Sequence, residues 1–168
     1  AHARELALER SARLGRPCFA EAYVDGRELN VAVVALDGRP RVIAVAETTF
    51  EDWPEDSPRV VGWRAKWEPG SRAYANTGRR FAFPVEDRSL LARAGGLAVA
   101  CFKRFAMAGY ARVDLRVDAA GRAWIIDVNA NPCLAPDAGL AAAAEHAGLG
   151  YAGLVDAVLR AALPGHRS

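Results

Sequence analysis

The sequence predicts an α+β fold in which an antiparallel sheet is flanked by helices. Three observations predict it: turn dipeptides Asp25-Gly26 and Asp37-Gly38 between β-rich runs, a helical period from Asp87 to Phe105, and two further β-rich runs followed by two helical ones. With 168 residues, 52% hydrophobic and 25% charged, the chain suits one soluble domain or part of a larger one.

Residues 4–14 read as a helix, with Leu6, Ala7 and Leu14 apolar among Arg and Glu, and Gly15 with Pro17 ends it. Strands are expected at residues 18–24 and 28–36, joined by Asp25-Gly26, and Asp37-Gly38 then turns the chain into a strand at residues 42–47. Residues 48–84 hold Pro54, Pro58, Pro69 and Pro84 and few regular periods, so a long loop is expected there, with a short strand at residues 60–67. Trp53, Trp63 and Trp67 are expected to pack it down. In the next helix Leu90, Leu91, Leu97, Cys101 and Phe105 mark the apolar face, and Gly95-Gly96 costs about 1 kcal/mol each unless the pair serves close packing. Strands at residues 110–117 and 122–129 follow, then a loop with Pro132 and Pro136, then helices near residues 137–147 and 151–163. The tail after Leu163 has no period and reads as frayed.

A net charge of +2 with scattered Arg residues argues against a nucleic-acid surface. Cys18, Cys101 and Cys133 lack ligand spacing and are odd in number, so free thiols in a reducing compartment, the cytoplasm, are expected. No apolar run approaches the roughly 20 residues of a membrane-spanning helix, and the first residues are charged where a secretory signal is apolar. The start at Ala1 suggests a missing N-terminal portion.

The segment from Tyr110 to Asn129 carries the chemistry. With a four-residue turn at Asp118-Ala119-Ala120-Gly121, Leu115 faces Trp124, Val113 faces Ile126 and Ala111 faces Val128, an apolar face. The opposite face then gathers Arg112 opposite Asp127, Asp114 opposite Ile125, and Tyr110 opposite Asn129. Two carboxylates and an amide oxygen are the hard ligands that Mg²⁺ prefers, and Arg112 beside them can hold a phosphoryl oxygen. The Asp114 carboxylate is expected to be exposed, so that its replacement by Asn leaves folding nearly intact. The bland alternative is the solvated side of a sheet, with Arg112 and Asp127 as a cross-strand pair worth roughly 0.2–1 kcal/mol.

The stretch GYARVDLRVDAAGRAWIIDVNANP resembles the catalytic hairpin of the D-alanine:D-alanine ligases, an R-x-D strand followed by an E-x-N strand and a Pro-containing loop. FAEAYVDGRELNVAVV is similar to that family's adenine-binding strand and hairpin, RAKW to its A-K-[YW] element, and AGLAAAAEHAGLGYAGLVDAVL to its closing helices. The resemblance implies the C-terminal lobe of an ATP-grasp domain, with the N-terminal substrate domain and the glycine-rich lobe missing. It implies ATP and Mg²⁺ (or Mn²⁺), small amino-acid substrates, and admits a homodimer of the full-length protein.

By position, the resemblance assigns Glu21 to the adenine amino group, the Val24 backbone to the adenine edge and Glu28 to the ribose hydroxyls. Lys66 would approach phosphate and substrate carboxylate, Asp114, Asp127 and Asn129 would ligate metal, and Arg112 would stabilise the transferred phosphoryl group. The Cys133 backbone N–H stands at the oxyanion donor's place. Asp127 replaces the usual Glu, Ala22 a frequent Lys, and Ala138 the Ser that dipeptide-forming members present to the acceptor carboxylate. Losing that hydroxyl costs about 1.5–3 kcal/mol. Two other readings therefore stand beside D-alanine ligation: an ATP-grasp ligase for other amino acids, and a non-catalytic nucleotide-binding lobe.

Overall fold

The computed structural model describes residues 2–163; the tail from residue 164 and the Trp67 side chain lie outside the described parts. After helix α1 (His2–Leu14), strands β1 (Arg27–Leu36) and β2 (Arg39–Phe50) form a hairpin. The short helices α2 (Trp63–Trp67) and α3 (Arg72–Ala75) lead to β3 (Thr77–Arg80), then α4 (Arg88–Arg104), β4 (Tyr110–Val117), β5 (Ala123–Asn129), α5 (Gly139–His146) and α6 (Gly150–Ala162). The five strands form one antiparallel sheet in the order β3-β2-β1-β4-β5.

Strand alternation divides the apolar residues between the two faces. Leu29, Val31 and Val33 of β1 and Val113, Leu115 and Val117 of β4 point to one side, where Leu90, Ala94, Ala98 and Phe102 of α4 cover them. Gly95 serves this packing, since a Cβ there would meet Val42 at 3.4 Å, whereas Gly96 faces open space. Burial raises the Cys101 thiol pKa on the same helix. On the other side Ala32, Val34 and Ala44 pack under Leu140, Ala143 and Ala144 of α5 and Leu154 and Ala157 of α6. These helices cover only the Val34 end. At the other end of that face Glu28, Asn30, Thr48, Arg112 and Asp114 line an open cleft, and Arg116 beyond them is buried.

The segment at residues 18–24 is not a strand. Both hydrogen-bonding edges of β1 are already occupied, by β2 and by β4, so no ladder remains for it. Asp25-Gly26 is accordingly no hairpin turn. Gly26 has φ +136° and lies so close to β4 that a Cβ would run into the Val117 carbonyl oxygen.

Residues 63–67 are helical rather than extended, with an Arg64–Glu68 ion pair at 2.8 Å across one turn. Ser71 then caps α3, accepting from the Tyr74 N–H at 3.1 Å and donating to the Arg64 carbonyl at 3.2 Å. Trp53 packs edge-on against Phe50, whereas Trp63 is exposed.

On the α4 side the sheet is tied by a charged network. Arg27 forks onto Glu47 (3.0 and 2.8 Å) and onto Asp87 (2.8 and 2.7 Å), and Arg80 adds a bond of 2.6 Å to Glu47. Burial pushes the Glu47 carboxyl up, but Arg27 and Arg80 together hold it below the usual carboxylate range.

Gly26→Ala is expected to destabilise the fold by about 2 kcal/mol or more, by strain at positive φ and by displacement of Val117; chemical denaturation measures it. Leu115→Ala, at a fully buried site, should cost about 2–5 kcal/mol. Because the folded carboxyl of Glu47 is depressed, its contribution is present above the ordinary carboxylate range and lost as pH falls through the folded value. Glu47→Gln should therefore lower stability by about 2 kcal/mol at neutral pH. Its melting curve should converge on that of the unsubstituted protein only once the pH has fallen below the depressed folded value of the Glu47 carboxyl.

Candidate active site

The hairpin β4–β5 sets the geometry. Asp118 closes its turn, accepting from the Ala120 and Arg122 N–H groups (3.0 Å each), Arg122 Nε (2.8 Å) and Trp124 Nε1 (3.0 Å). The Trp124 bond and then the Arg122 bonds lower its carboxyl pKa to about 2. The turn runs through five residues, Asp118 to Arg122, with Gly121 at φ +74°. It is one residue longer than expected, so Leu115 faces Ile125 and Arg116 faces Trp124.

A bulge between Asp114 and Leu115 then inserts Ile126 as an extra residue. Beyond it Asp114 pairs with Asp127, Val113 with Val128 and Arg112 with Asn129. The four polar residues share one face, as expected, but their partners differ from the expected pairs. Ile126 does not join the core; it is exposed and lines the polar cleft.

That cleft, about 970 Å³, lies on the open end of the sheet. Seven of the residues singled out by sequence line it or stand beside it: Glu28, Lys66, Arg112, Asp114, Asp127, Asn129 and Cys133. Glu21 and Val24 do not line it; they belong to the coil that leads into β1, with Glu21 exposed and Val24 half-buried.

Arg112 forks onto Asp114 on its own strand, Nε and one terminal nitrogen each at 2.7 Å from a carboxylate oxygen. The Asp114 bonds and burial act in opposite directions on Arg112, and the bonds win, so its pKa is raised. Asp114 is buried, 7% exposed, against the expectation of a solvated carboxylate. Asp127 is exposed and has no hydrogen bond or ion pair among the described residues. Asn129 Oδ1 accepts from the Asn131 N–H at 2.9 Å, and Asn131 Oδ1 accepts from the Tyr110 hydroxyl at 2.7 Å, which orders the loop after β5.

Glu28, 8% exposed, accepts from Arg116 at 3.2 Å and from the Thr48 hydroxyl at 3.4 Å. Burial outweighs Arg116 and raises its carboxyl pKa. Lys66 and Arg79 are exposed cations on the cleft wall with no ion pair among the described residues. Among the described residues no three His, Cys, Asp or Glu side chains gather as a metal cluster. The facing oxygen donors are instead two carboxylates and an amide.

Several cleft residues escape the sequence reading. Asn30 follows from strand alternation, two residues from Glu28, and the buried Arg116 behind the cleft likewise lies two residues from Asp114. Arg79 had no signal, because four-residue β3 exists only through its pairing with β2.

The family model described as D-ala D-ala ligase C-terminus matches residues 2–160. This chain belongs to that family. Within the D-ala D-ala ligase C-terminus family its relatives are distant. The D-alanine–D-alanine ligase of Synechococcus sp. (strain JA-2-3B'a(2-13)) is 30% identical over 161 residues, 95% of this chain and 43% of the relative. Protein y4sG of Sinorhizobium fredii is 28% identical over 151 residues, 88% of this chain and 41% of its own length. The chain thus spans about two fifths of the length of these curated relatives. A crystal structure of Bacillus anthracis D-alanine–D-alanine ligase complexed with ATP superposes with a TM-score of 0.69 at 18% identity, covering 97% of this chain and 47% of that one. The ATP-grasp C-terminal fold with its five-stranded antiparallel sheet is therefore shared.

Asp114 and Asp127 should respond differently to amidation. Asp114→Asn is expected to cost about 1.5–3 kcal/mol, because it weakens a buried charge-assisted fork, whereas exposed Asp127→Asn should stay within about 0.5 kcal/mol of the unsubstituted protein. Thermal melting of both variants checks this.

Proposed function

We propose that this chain is the nucleotide- and metal-binding C-terminal part of an ATP-dependent carboxylate–amine ligase of the D-alanine:D-alanine ligase type. The observation that carries it is the convergence of Arg112, Asp114, Asp127 and Asn129 on the open half of the sheet, in one cleft with Lys66. A merely solvated face needs no such focus of carboxylates and cations. The fraction of the relatives' length that is covered supports a longer protein, whose N-terminal substrate domain and glycine-rich lobe would complete the site. Among the described residues no helix is long and apolar enough to cross a membrane; we read the ligase as cytoplasmic, with amino acids as its small-molecule partners.

In this reading Glu21 and the Val24 backbone receive the adenine. The Val24 carbonyl already accepts from Arg116 at 2.9 Å, which leaves its N–H for the base. Glu28 keeps Oε1, bonded only weakly by Thr48, for a ribose hydroxyl. Asp114, Asp127 and Asn129 would hold Mg²⁺ or Mn²⁺; their hard oxygens fit such an ion, and Asp114 retains lone pairs beyond those taken by Arg112. The ion would supply neutralisation of phosphate charge.

Arg112, oriented by Asp114, has remaining N–H groups for a phosphoryl oxygen. Lys66 adds a mobile positive charge for phosphate and for the carboxylate being activated. Transfer of the ATP γ-phosphoryl group to that carboxylate would give an acyl phosphate and release ADP. The second substrate's amine would then attack the carbonyl carbon and lose a proton, and phosphate would leave as the amide forms, with the Cys133 N–H donating to the oxyanion that develops. The thiol takes no part.

A second reading, ligation of amino acids other than D-alanine, is favoured by Ala138. It stands at the N-cap of α5 with no side-chain hydrogen bond, so an acceptor carboxylate meets no hydroxyl there.

The test is ADP release from MgATP by the longer protein across a panel of amino acids. Release is expected with a small subset of them, and Asp127→Asn should slow it at least about tenfold without moving the melting temperature. No release with any amino acid, together with tight ATP binding, would point to a non-catalytic lobe. The chain alone should bind MgATP weakly, because the described cleft is open on one side; calorimetric titration finding affinity equal to the longer protein's would contradict this.

A further inference from the structure

Arg116 lies two residues beyond Asp114 on β4 and is 3% exposed, so its guanidinium is almost wholly removed from water. A buried charge persists only where its donors are met. Its Nε donates to the Val24 carbonyl at 2.9 Å, one terminal nitrogen to Glu28 at 3.2 Å and to the Arg59 carbonyl at 2.8 Å, and the other to the Tyr23 hydroxyl at 2.8 Å. These bonds reach strand β1 and two irregular segments, the coil at residues 17–25 and the stretch around residue 59.

Tyr23 reinforces the same junction. Its ring lies 5.1 Å from the guanidinium carbon, and its hydroxyl accepts from the Arg59 N–H at 3.1 Å. Neither segment belongs to the sheet, so no backbone ladder orients Tyr23, Val24 or Arg59. The side-chain bonds that tie them to β4 meet at one cation, beside local bonds of Tyr23 to Asp25 at 3.3 Å and of Trp53 to the Pro58 carbonyl at 3.3 Å.

We propose that Arg116 is a positioning residue, a buried latch that fixes the Tyr23–Val24 and Arg59 segments onto β4 and so presents the Val24 backbone and Glu28 together to a nucleotide. The identity of the ligand rests on the function proposed above; the latch does not. One guanidinium holds both nucleoside contacts at once, because Glu28 Oε2 and the Val24 carbonyl are bonded to adjacent nitrogens of the same plane. A lysine cannot replace it: an ammonium can keep the charge opposite Glu28 but lacks the planar fork that spans four acceptors.

The test compares Arg116→Lys, Arg116→Met and Tyr23→Phe. Hydrogen exchange is read on this chain and MgATP affinity on the longer protein. Both Arg116 variants are expected to speed amide exchange in residues 19–25 and 57–61 while β1 and β4 stay protected. They should also raise the Kd for MgATP on the order of tenfold, the scale of losing one charge-assisted hydrogen bond, with kcat at saturating ATP nearly unchanged. Tyr23→Phe, which removes one hydroxyl, should shift both readouts in the same direction by less, and it serves if Arg116→Met fails to fold. Full nucleotide affinity and unchanged exchange in Arg116→Lys would reduce Arg116 to a counter-charge for Glu28 and overturn the latch. Faster exchange spread evenly over β1 and β4 would overturn it too, in favour of a general role in the sheet. If the unsubstituted protein binds no MgATP, the proposed function falls, and exchange in the two segments still decides the latch.

Discussion

The two-residue period of β1 and β4, laid side by side, is the constraint on which the rest of this fold depends. Leu29 faces Leu115, Val31 faces Val113 and Val33 faces Ala111, so the odd residues of both strands meet in a dry layer beneath α4. Burying six such side chains leaves the even residues no choice of face. At one end of β1 those are Ala32 and Val34, which accept the Ala-rich underside of α5. At the other they are Glu28 and Asn30, beside Arg112, Asp114 and Arg116, and no apolar helix covers such groups without a large desolvation cost. The cleft exists where the sheet refuses a roof.

The two faces also use charge differently. Under α4, Glu47 and Asp87 are satisfied by Arg27 and Arg80, a closed set that braces β1, β2, β3 and the start of α4. On the cleft side Asp114 is satisfied by Arg112, while Asp127, Lys66 and Arg79 have no ion pair among the described residues. Closed sets suit structure. Charges left open in a concavity suit a charged ligand.

What could be read from the sequence follows from how strongly each segment is patterned. The helix α4, the strands β1, β2, β4 and β5, and α5 with α6 are long or regular enough that local period decides them. Residues 18–24 have strand chemistry but no edge to join, and Asp25-Gly26 has turn chemistry that Gly26 uses for contact with Val117 instead. The short elements α2, α3 and β3 answer to tertiary contacts that no window of sequence contains. In the β4–β5 hairpin the five-residue turn and the bulge at Ile126 each displace the register by one residue. Each displacement alone would send Asp127 and Asn129 to the wrong face; together they return them, so the site's face was legible although its pairings were not.

Those two displacements have a consequence for how such a hairpin tolerates insertions and deletions. The tip is pinned by Asp118 and the site lies on the far side of the bulge. A residue gained or lost at the tip reverses the orientation of Ala123, Trp124 and Ile125, but gain or loss of the bulge at Ile126 can absorb it before Asp127 is reached. The bulge thus acts as an expansion joint: the tip is free to drift in length over evolutionary time while the carboxylates keep their aim.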